Sequence, residues 1–547
     1  MRANGHKAGY RVVIITLDAH VAGPAARASE RLLRDFPGLS ITIHAAASWG
    51  DDRAALDRAI EDIGTGDLII ANMLFLEEHV RPVLPALKAR RDSCDAMVGM
   101  IADGEVVRLT RMGGLDMSKP QSGIAKLLKK LRGSSKSGQA SGESQMRVLR
   151  RLPKILRFVP GKAQDLRAWF LTMQYWLGGS DDNVEQMVRY LISRYSSTAG
   201  WTGTDALPPV EYPETGLYHP RLKDRITTDV SKLPRPADAK VTVGLLLMRS
   251  SVLASDTAHY DAVITAFEDR GIAVIPAFAG GLDGRPAIDA YFKANGKPCI
   301  DTLVSLTGFS LIGGPAYNDS AAAVDVLQGL DLPYVAAHPL EFQTLQQWSQ
   351  SSGGLGPVET TMLIALPEID GATNPTVFAG RHGDGGCTGC KTPCERVSSH
   401  RAMAPCPERI GTLAEKVLRL GLNRRKANAE RKVGIVLFGF PPNSGAVGTA
   451  AHLSVFESLF NTLLAMQADG YQVDPPASVD ELRDMLLKGN SAQYGQQANV
   501  AAHVPADDIV RNTPWLNEIE AVWGPAPGRT QSDGRGVFVL GRQFGNV

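Results

Sequence analysis

Charge imbalance is the first thing this sequence lacks: across 547 residues, 58 lysines and arginines stand against 57 acids, a formal net charge of +1. That balance excludes a general nucleic-acid binder, which needs a basic field over its binding face. Long apolar runs are missing as well. No stretch approaches the roughly 18–20 uninterrupted apolar residues of a membrane-spanning helix. The longest runs, Val12-Val13-Ile14-Ile15 and Val243-Gly244-Leu245-Leu246-Leu247-Met248, have the length of buried strands. The opening residues, MRANGHKAGY, carry no apolar stretch of a secretion signal. A cytoplasmic protein is expected, with at most peripheral membrane contact. Cysteine is scarce, six in the whole chain, which excludes a disulfide scaffold. No solenoid-length repeat, HExxH, Ser-His-Asp set or paired-carboxylate constellation can be assigned from spacing.

What is present is an ordinary globular composition, 44% hydrophobic. The length exceeds one core and predicts roughly three to five domains. Residues 1–120 read as a small α/β domain. Arg11–Thr16, Asp67–Asn72 and Ala96–Ile101 are strand-like, and Ala25–Phe36 has helical spacing. Residues 121–162 change character: lysines and arginines from Lys126 to Lys162 face a single acid, Glu143, around the small polar stretch GSSKSGQASGES. This predicts a basic flexible linker, either simply solvated or a docking surface for anionic lipid or an acidic partner. Residues 163–235 predict a helical connector whose Trp169, Phe170, Tyr175 and Trp176 pack into a core.

Residues 236–430 resume the alternation of strand and helix. Val241–Met248, Ile272–Phe278, Asp301–Leu306 and Leu332–Ala336 are the strands, with a helix over Thr257–Arg270. The pattern predicts a doubly wound sheet, which places ligands at strand ends. Residues 431–547 read as the start of a further α/β domain, opening with a strand at Lys432–Phe438. The closing FVLGRQFGNV is strand-like, and its abrupt end suggests an interrupted domain. The fold class is therefore α/β: several Rossmann-like or flavodoxin-like parallel sheets with a helical connector.

Three features could carry chemistry. Cys387, Cys390, Cys394 and Cys406 form C-x2-C-x3-C-x11-C in a glycine-rich context. Such thiolates can converge on a zinc ion or a four-iron cluster, the uneven spacing favouring iron–sulfur; free or redox-active thiols are the other reading. His382 and His400 flank them, each read as an ordinary loop histidine with a ligand role as the alternative. Gly439–Thr449 is a glycine-rich strand-to-helix turn that could cradle an anion or serve as a tight turn. It is no Walker A loop, because no Lys-Ser or Lys-Thr follows its last glycine. ATP binding by this chain has no support. His20, His79 and His338 fall near predicted strand ends, where ligand contact and a satisfied turn histidine are both open.

Several segments resemble the large-subunit family of magnesium chelatases and cobaltochelatases. They are VGIVLFGFPPNSGAVGTAAHLSVFESL (Val433–Leu459), WGPAPGRTQSDGRGVFVLGRQFGNV (Trp523–Val547) and LPEIDGATNPTVFAGR (Leu366–Arg381). LIIANMLFLEEHV (Leu68–Val80) is similar to the extra N-terminal domain of the magnesium type, and so favours magnesium over cobalt. The resemblance implies the N-terminal portion of a porphyrin-binding large subunit of ATP-dependent magnesium chelatase. Its substrates would be protoporphyrin IX and Mg2+, in chlorophyll or bacteriochlorophyll synthesis. Its partners would be an AAA+ ATPase subunit, which uses the ATP, and a second smaller subunit. For the cysteines it implies a 4Fe-4S cluster of the kind associated with some bacterial members. Family members run well beyond this length, so an incomplete fragment, inactive alone, is expected and no catalytic residue is carried over. The alternatives are a cobaltochelatase large subunit, or a non-catalytic tetrapyrrole-binding or redox-sensing module.

Overall fold

The computed structural model describes residues 9–17, 21–46, 49, 52–119, 153, 156–198, 201, 205–314, 317–383, 387–390, 402–438, 448–450 and 452–547. Most of the basic segment 121–162 and of the Gly439–Thr449 turn lies outside these residues, as do His20, Cys394 and His400. The chain forms two compact units, Met1–Gly421 and Leu422–Val547.

The first unit opens on β1 (Tyr10–Thr16), α1 (Ala22–Asp35), β2 (Leu39–Ala45), α2 (Arg53–Thr65), β3 (Leu68–Asn72), α3 (Glu77–Arg90) and β4 (Ala96–Met100). These strands pair in parallel in the order β2-β1-β3-β4. Two short antiparallel strands, β5 (Arg111–Met112) and β6 (Leu115–Asp116), extend the β4 edge. β3 and β4 are buried at every position, as a parallel sheet covered on both faces requires. Alternation along β1 divides its side chains between two cores. Val13 and Ile15 pack with Leu56 and Ile63 of α2 and Val83 and Leu87 of α3. Val12 and Ile14 face Ala25, Ala28 and Leu32 of α1.

That second face is completed by α4 (Lys162–Gly178) and α5 (Asp181–Tyr195). Trp169, Phe170, Tyr175 and Trp176 are all buried there. The Trp169 indole N–H donates to the Gly99 carbonyl of β4 at 3.0 Å. Gly99 itself tolerates no side chain, since a Cβ would meet the Val106 carbonyl oxygen at 2.3 Å. Ser180 caps α5 by accepting from the Asn183 N–H. Arg27 of α1 and Asp181 pair at 2.6 Å, holding the two helices side by side.

After an irregular stretch the second sheet begins. Its strands are β7 (Thr215–Tyr218), β8 (Ile226–Thr227), β9 (Val241–Met248), β10 (Ile272–Ala279), β11 (Thr302–Ser305), β12 (Tyr334–Thr344), β13 (Thr373–Arg381) and β14 (Ala404–Pro405). The order is β14-β13-β12-β11-β9-β10-β7-β8. Its five central strands are parallel and wound 2-1-3-4-5, the flavodoxin-like order. α6 (Ala258–Glu268) and α8 (Pro407–Arg425) cover one face through Tyr260, Phe267, Ile410 and Leu413. α7 (Ser320–Leu330) lies on the other, with Tyr291 and Phe292. No described helix is long and apolar enough to cross a membrane.

The second unit contains α9 (Val455–Ala468), α10 (Val479–Leu487), β15 (Val500–Pro505), α11 (Ala506–Asn512), α12 (Leu516–Trp523) and β16 (Gly536–Leu540). Leu459, Leu463, Val473, Leu482, Leu486 and Phe544 form its core. The strand expected at Lys432–Phe438 does not form: the segment is irregular, with Val436 80% and Phe438 81% exposed. The Val433 N–H reaches the Asn546 carbonyl at 3.1 Å, but no strand among the described residues pairs with the run. Without a ladder, extended geometry gains nothing. The α/β class itself is what the sequence predicts.

Candidate functional site

Doubly wound sheets carry ligands outside the carboxyl ends of their strands, where the winding reverses. At that edge of the first sheet, Thr16 of β1 lies beside Asn72 of β3. Asn72 is fully buried, and neither its amide oxygen nor its nitrogen has a hydrogen-bond partner among the described residues. The next residue, Met73, and Ile101 after β4 both adopt left-handed backbone conformations, φ 57° and 45°. The Met73 N–H donates to the Ile101 carbonyl at 2.9 Å, tying the two loops together. Two non-glycine residues in this region are a strained pair of the kind that collects near functional edges. His79 sits in the first turn of α3, its ring edge-on to Trp49. Burial lowers its pKa, against a weaker upward pull from Glu78.

The corresponding edge of the second sheet is richer in buried polar groups. His338 of β12 is 1% exposed, and neither ring nitrogen has a partner among the described residues. Burial alone pushes its pKa down to about 4, so the imidazole is neutral near pH 7. The β12–β13 register breaks between His338 and Pro339, a bulge that bends the strand at this point. Beyond it, one oxygen of the buried Glu359 accepts three successive backbone N–H groups, Glu341, Phe342 and Gln343, at 3.0–3.1 Å. Burial still raises the Glu359 pKa against those bonds. Arg381, at the end of β13, pairs with Glu341 at 2.9 Å. Asp370, which precedes the amino end of β13, accepts from the Ser310 hydroxyl of the chain after β11 at 2.5 Å and from the Leu311 N–H at 2.9 Å.

The cysteines lie at the β13–β14 side of this edge. Cys406 is buried immediately before α8; its N–H donates to the Phe378 carbonyl, and its own carbonyl accepts from the Ile410 N–H, both at 2.9 Å. Cys390 is half-buried, with its Sγ 3.4 Å from that of Cys406. Burial first, then the neighbouring thiol, push the Cys390 pKa up to about 11. Cys387 packs against the apolar group Leu340, Leu345, Val377 and Ala404. Cys394 lies outside the described residues. His382 is buried just beyond β13.

A thiolate-held metal needs its ligands deprotonated and converging. Two of the four expected thiols, Cys390 and Cys406, converge here. Among the described residues no group of three His, Cys, Asp or Glu side chains is arranged to hold a metal ion. The expected iron–sulfur or zinc set also includes Cys394, which lies outside those residues. His338, His79 and the cysteines stand out in the sequence; Asn72, Glu359 and Asp370 do not. Nothing in the local text marks these three, since their importance comes from burial and from the strand ends they meet.

The geometry defines an α/β protein with two flavodoxin-like sheets, each with buried polar groups at its carboxyl edge, the second also bearing a thiol pair. The chain belongs to the CobN/Magnesium Chelatase family, whose model matches residues 173–547. Residues 11–170 match a second model described as a Domain of unknown function (DUF3479). The chain is 68% identical over 542 residues to the magnesium-chelatase H subunit of Cereibacter sphaeroides, covering 98% of this chain and 45% of the relative. It is 61% identical over 543 residues to the protein of the same description from Rhodobacter capsulatus, with the same coverage. It thus spans less than half the length of these curated relatives. Its fold is similar to that of the "Catalytic Subunit of Cobaltochelatase from Mycobacterium tuberculosis", with a TM-score of 0.55 and 17% identity, covering 98% of this chain and 38% of the other.

Proposed function

We propose that this chain acts as part of the porphyrin-binding large subunit of an ATP-dependent magnesium chelatase, inserting Mg2+ into protoporphyrin IX for bacteriochlorophyll or chlorophyll synthesis in the cytoplasm. The observation that carries the reading is the 68% identity, extending over 98% of the chain, to a magnesium-chelatase H subunit. ATP is used in this reading by an AAA+ partner subunit working with a second smaller one.

The chemistry explains why a large, layered protein suits the task. Mg2+ holds its waters tightly and prefers hard oxygen ligands, so transfer to four pyrrole nitrogens requires stripping that shell. Two pyrrole protons must also leave to general bases. His338 is too weak a base for this at neutral pH, its pKa lying near 4. Its neutral ring, the Asn72 amide and the Glu359 clamp are better suited to positioning the two strand edges than to proton transfer. The cysteines need take no part in the insertion.

Titrating the chain with a water-soluble porphyrin while following its seven tryptophans tests the binding part of the proposal. Saturable quenching, with no comparable response to a cobalt-free corrin, is the expected result. Equal response to both would favour the cobaltochelatase reading. No binding by this chain, or by a longer chain carrying it together with the partner subunits and ATP, would overturn the proposal.

A further inference from the structure

The stretch leading into α4 joins a run of cations to an apolar tip. We propose that the turn at residues 156–161, with the cations around it, is a docking surface for an anionic lipid bilayer, on which the chain settles with Phe158 inserted among the headgroups. This inference is independent of the porphyrin reading.

Between Glu143 and Asp165 the sequence places six cations, Arg147, Arg150, Arg151, Lys154, Arg157 and Lys162, and no acid. The turn that closes this stretch is fixed from within. The Val159 N–H donates to the Leu156 carbonyl at 3.1 Å. The Gln164 side-chain amide donates to the same carbonyl at 2.9 Å and also to that of Val159. Leu156 packs against the core of the first sheet. Arg167 of α4 donates to the carbonyl of the buried Pro153 at 3.1 Å. Gly161, at φ 78°, then turns the chain into α4. Anchored on its inner side, the turn leaves Phe158 84% and Val159 45% exposed, with Arg157, Pro160 and Lys162 exposed beside them.

One exposed apolar side chain is ordinary. Three consecutive apolar residues at a turn tip, flanked by cations, have the composition of an interfacial anchor. The phenyl ring gains by leaving water for the boundary of headgroups and acyl chains. The arginine and lysine heads stay in the headgroup layer, their stems lying along apolar surface. Each cation near an anionic leaflet adds an attraction that salt screens. Because the turn is held by its own hydrogen bonds, docking requires little further ordering. Trp523 is 83% exposed but shares α12 with Glu518 and Glu520, which an anionic surface repels. Charge alone would suit an acidic polypeptide equally well; the apolar tip is what selects the bilayer.

The test sediments the full chain with sucrose-loaded vesicles, of phosphatidylcholine alone or mixed with phosphatidylglycerol. Binding to the mixed vesicles should exceed binding to the neutral ones by about tenfold or more. It should fall by about tenfold from low to physiological ionic strength. Phe158→Ser, and the double substitution Arg157→Glu with Lys162→Glu, should each weaken it by about tenfold. All three side chains are exposed, and circular dichroism checks that the variants remain folded. Phe158→Trp should bind like the wild type, and its fluorescence added to that of the seven native tryptophans should be quenched by brominated phospholipid. Four outcomes would overturn the proposal: no preference for anionic vesicles, undiminished binding by the Phe158→Ser and double variants, or no quenching of the added tryptophan. The fourth is equal binding to polyglutamate that Phe158→Ser leaves unchanged, which would assign the surface to an acidic polypeptide.

Discussion

His338 shows how one buried side chain imprints a pH dependence on a whole fold. Its pKa lies near 4 in the folded protein against 6.5 for the free side chain, and burial is the cause. Between those values the unfolded chain binds the proton and the folded chain does not. Stability is therefore complete above about pH 6.5 and falls as pH drops toward 4. A displacement of this size is worth about 3 kcal/mol across the window. Urea unfolding of the wild type should lose most of that amount between pH 7.5 and pH 4.5. His338→Leu, which cannot titrate, should lose about 3 kcal/mol less over the same range; parallel acid limbs for the two proteins would refute the assignment. The residue is recognisable in the sequence as a histidine near a strand end. That it has no partner is not, because its isolation depends on the bulge between β12 and β13 and on side chains far away in the chain.

Among the elements, the chain that follows α5 is held to it by two side-chain amides: Gln186 accepts the Leu207 N–H at 2.8 Å, and Asn183 engages Val210. Asn183 donates through Nδ2 to the Val210 carbonyl at 3.1 Å and accepts the Val210 N–H on Oδ1 at 2.8 Å. Both bonds pin the irregular stretch before β7. Asn183→Ala should cost about 1–3 kcal/mol, because it leaves a part-buried N–H and C=O without partners. The same change should expose the chain near Val210 to proteolysis; unchanged cleavage kinetics would show that the stretch is held by other means. At this scale legibility follows burial. β9 coincides with the apolar run VTVGLLLM because a strand covered on both faces must be apolar throughout. β2, LSITIHA, is not marked in the sequence: it is an edge strand whose mixture of exposed and part-buried positions weakens the signal. Lys432–Phe438 errs the other way, being strand-like in composition but with no strand to pair with among the described residues. The cysteine spacing is equally visible, yet which two sulfurs meet depends on where β14 and α8 bring Cys406.

Taken as a whole, the chain comprises units of very different solidity. Met1–Gly421 contains two sheets, each covered by helices on both faces. Leu422–Val547 rests on a core of six buried side chains, while Val522 and Trp523 are 74% and 83% exposed. Calorimetry should therefore resolve two thermal transitions, the lower one belonging to the second unit. Limited proteolysis below that transition should leave a resistant fragment ending near Gly421. A single transition, with both regions cleaved together, would show that the units unfold as one.

The ribbon formed by β15 and β16 has a practical consequence. It is a two-stranded antiparallel sheet, and beyond one bridge between Ser532 and Val537 neither outer edge pairs with another strand among the described residues. Val539 and the middle of β15 also face outward. An open row of backbone donors and acceptors beside apolar side chains is a template for adding strands from other molecules. At the concentrations used for crystallisation or scattering, this ribbon is where self-association and precipitation would start, and a lysine placed at Val539 is the simplest gatekeeper against them.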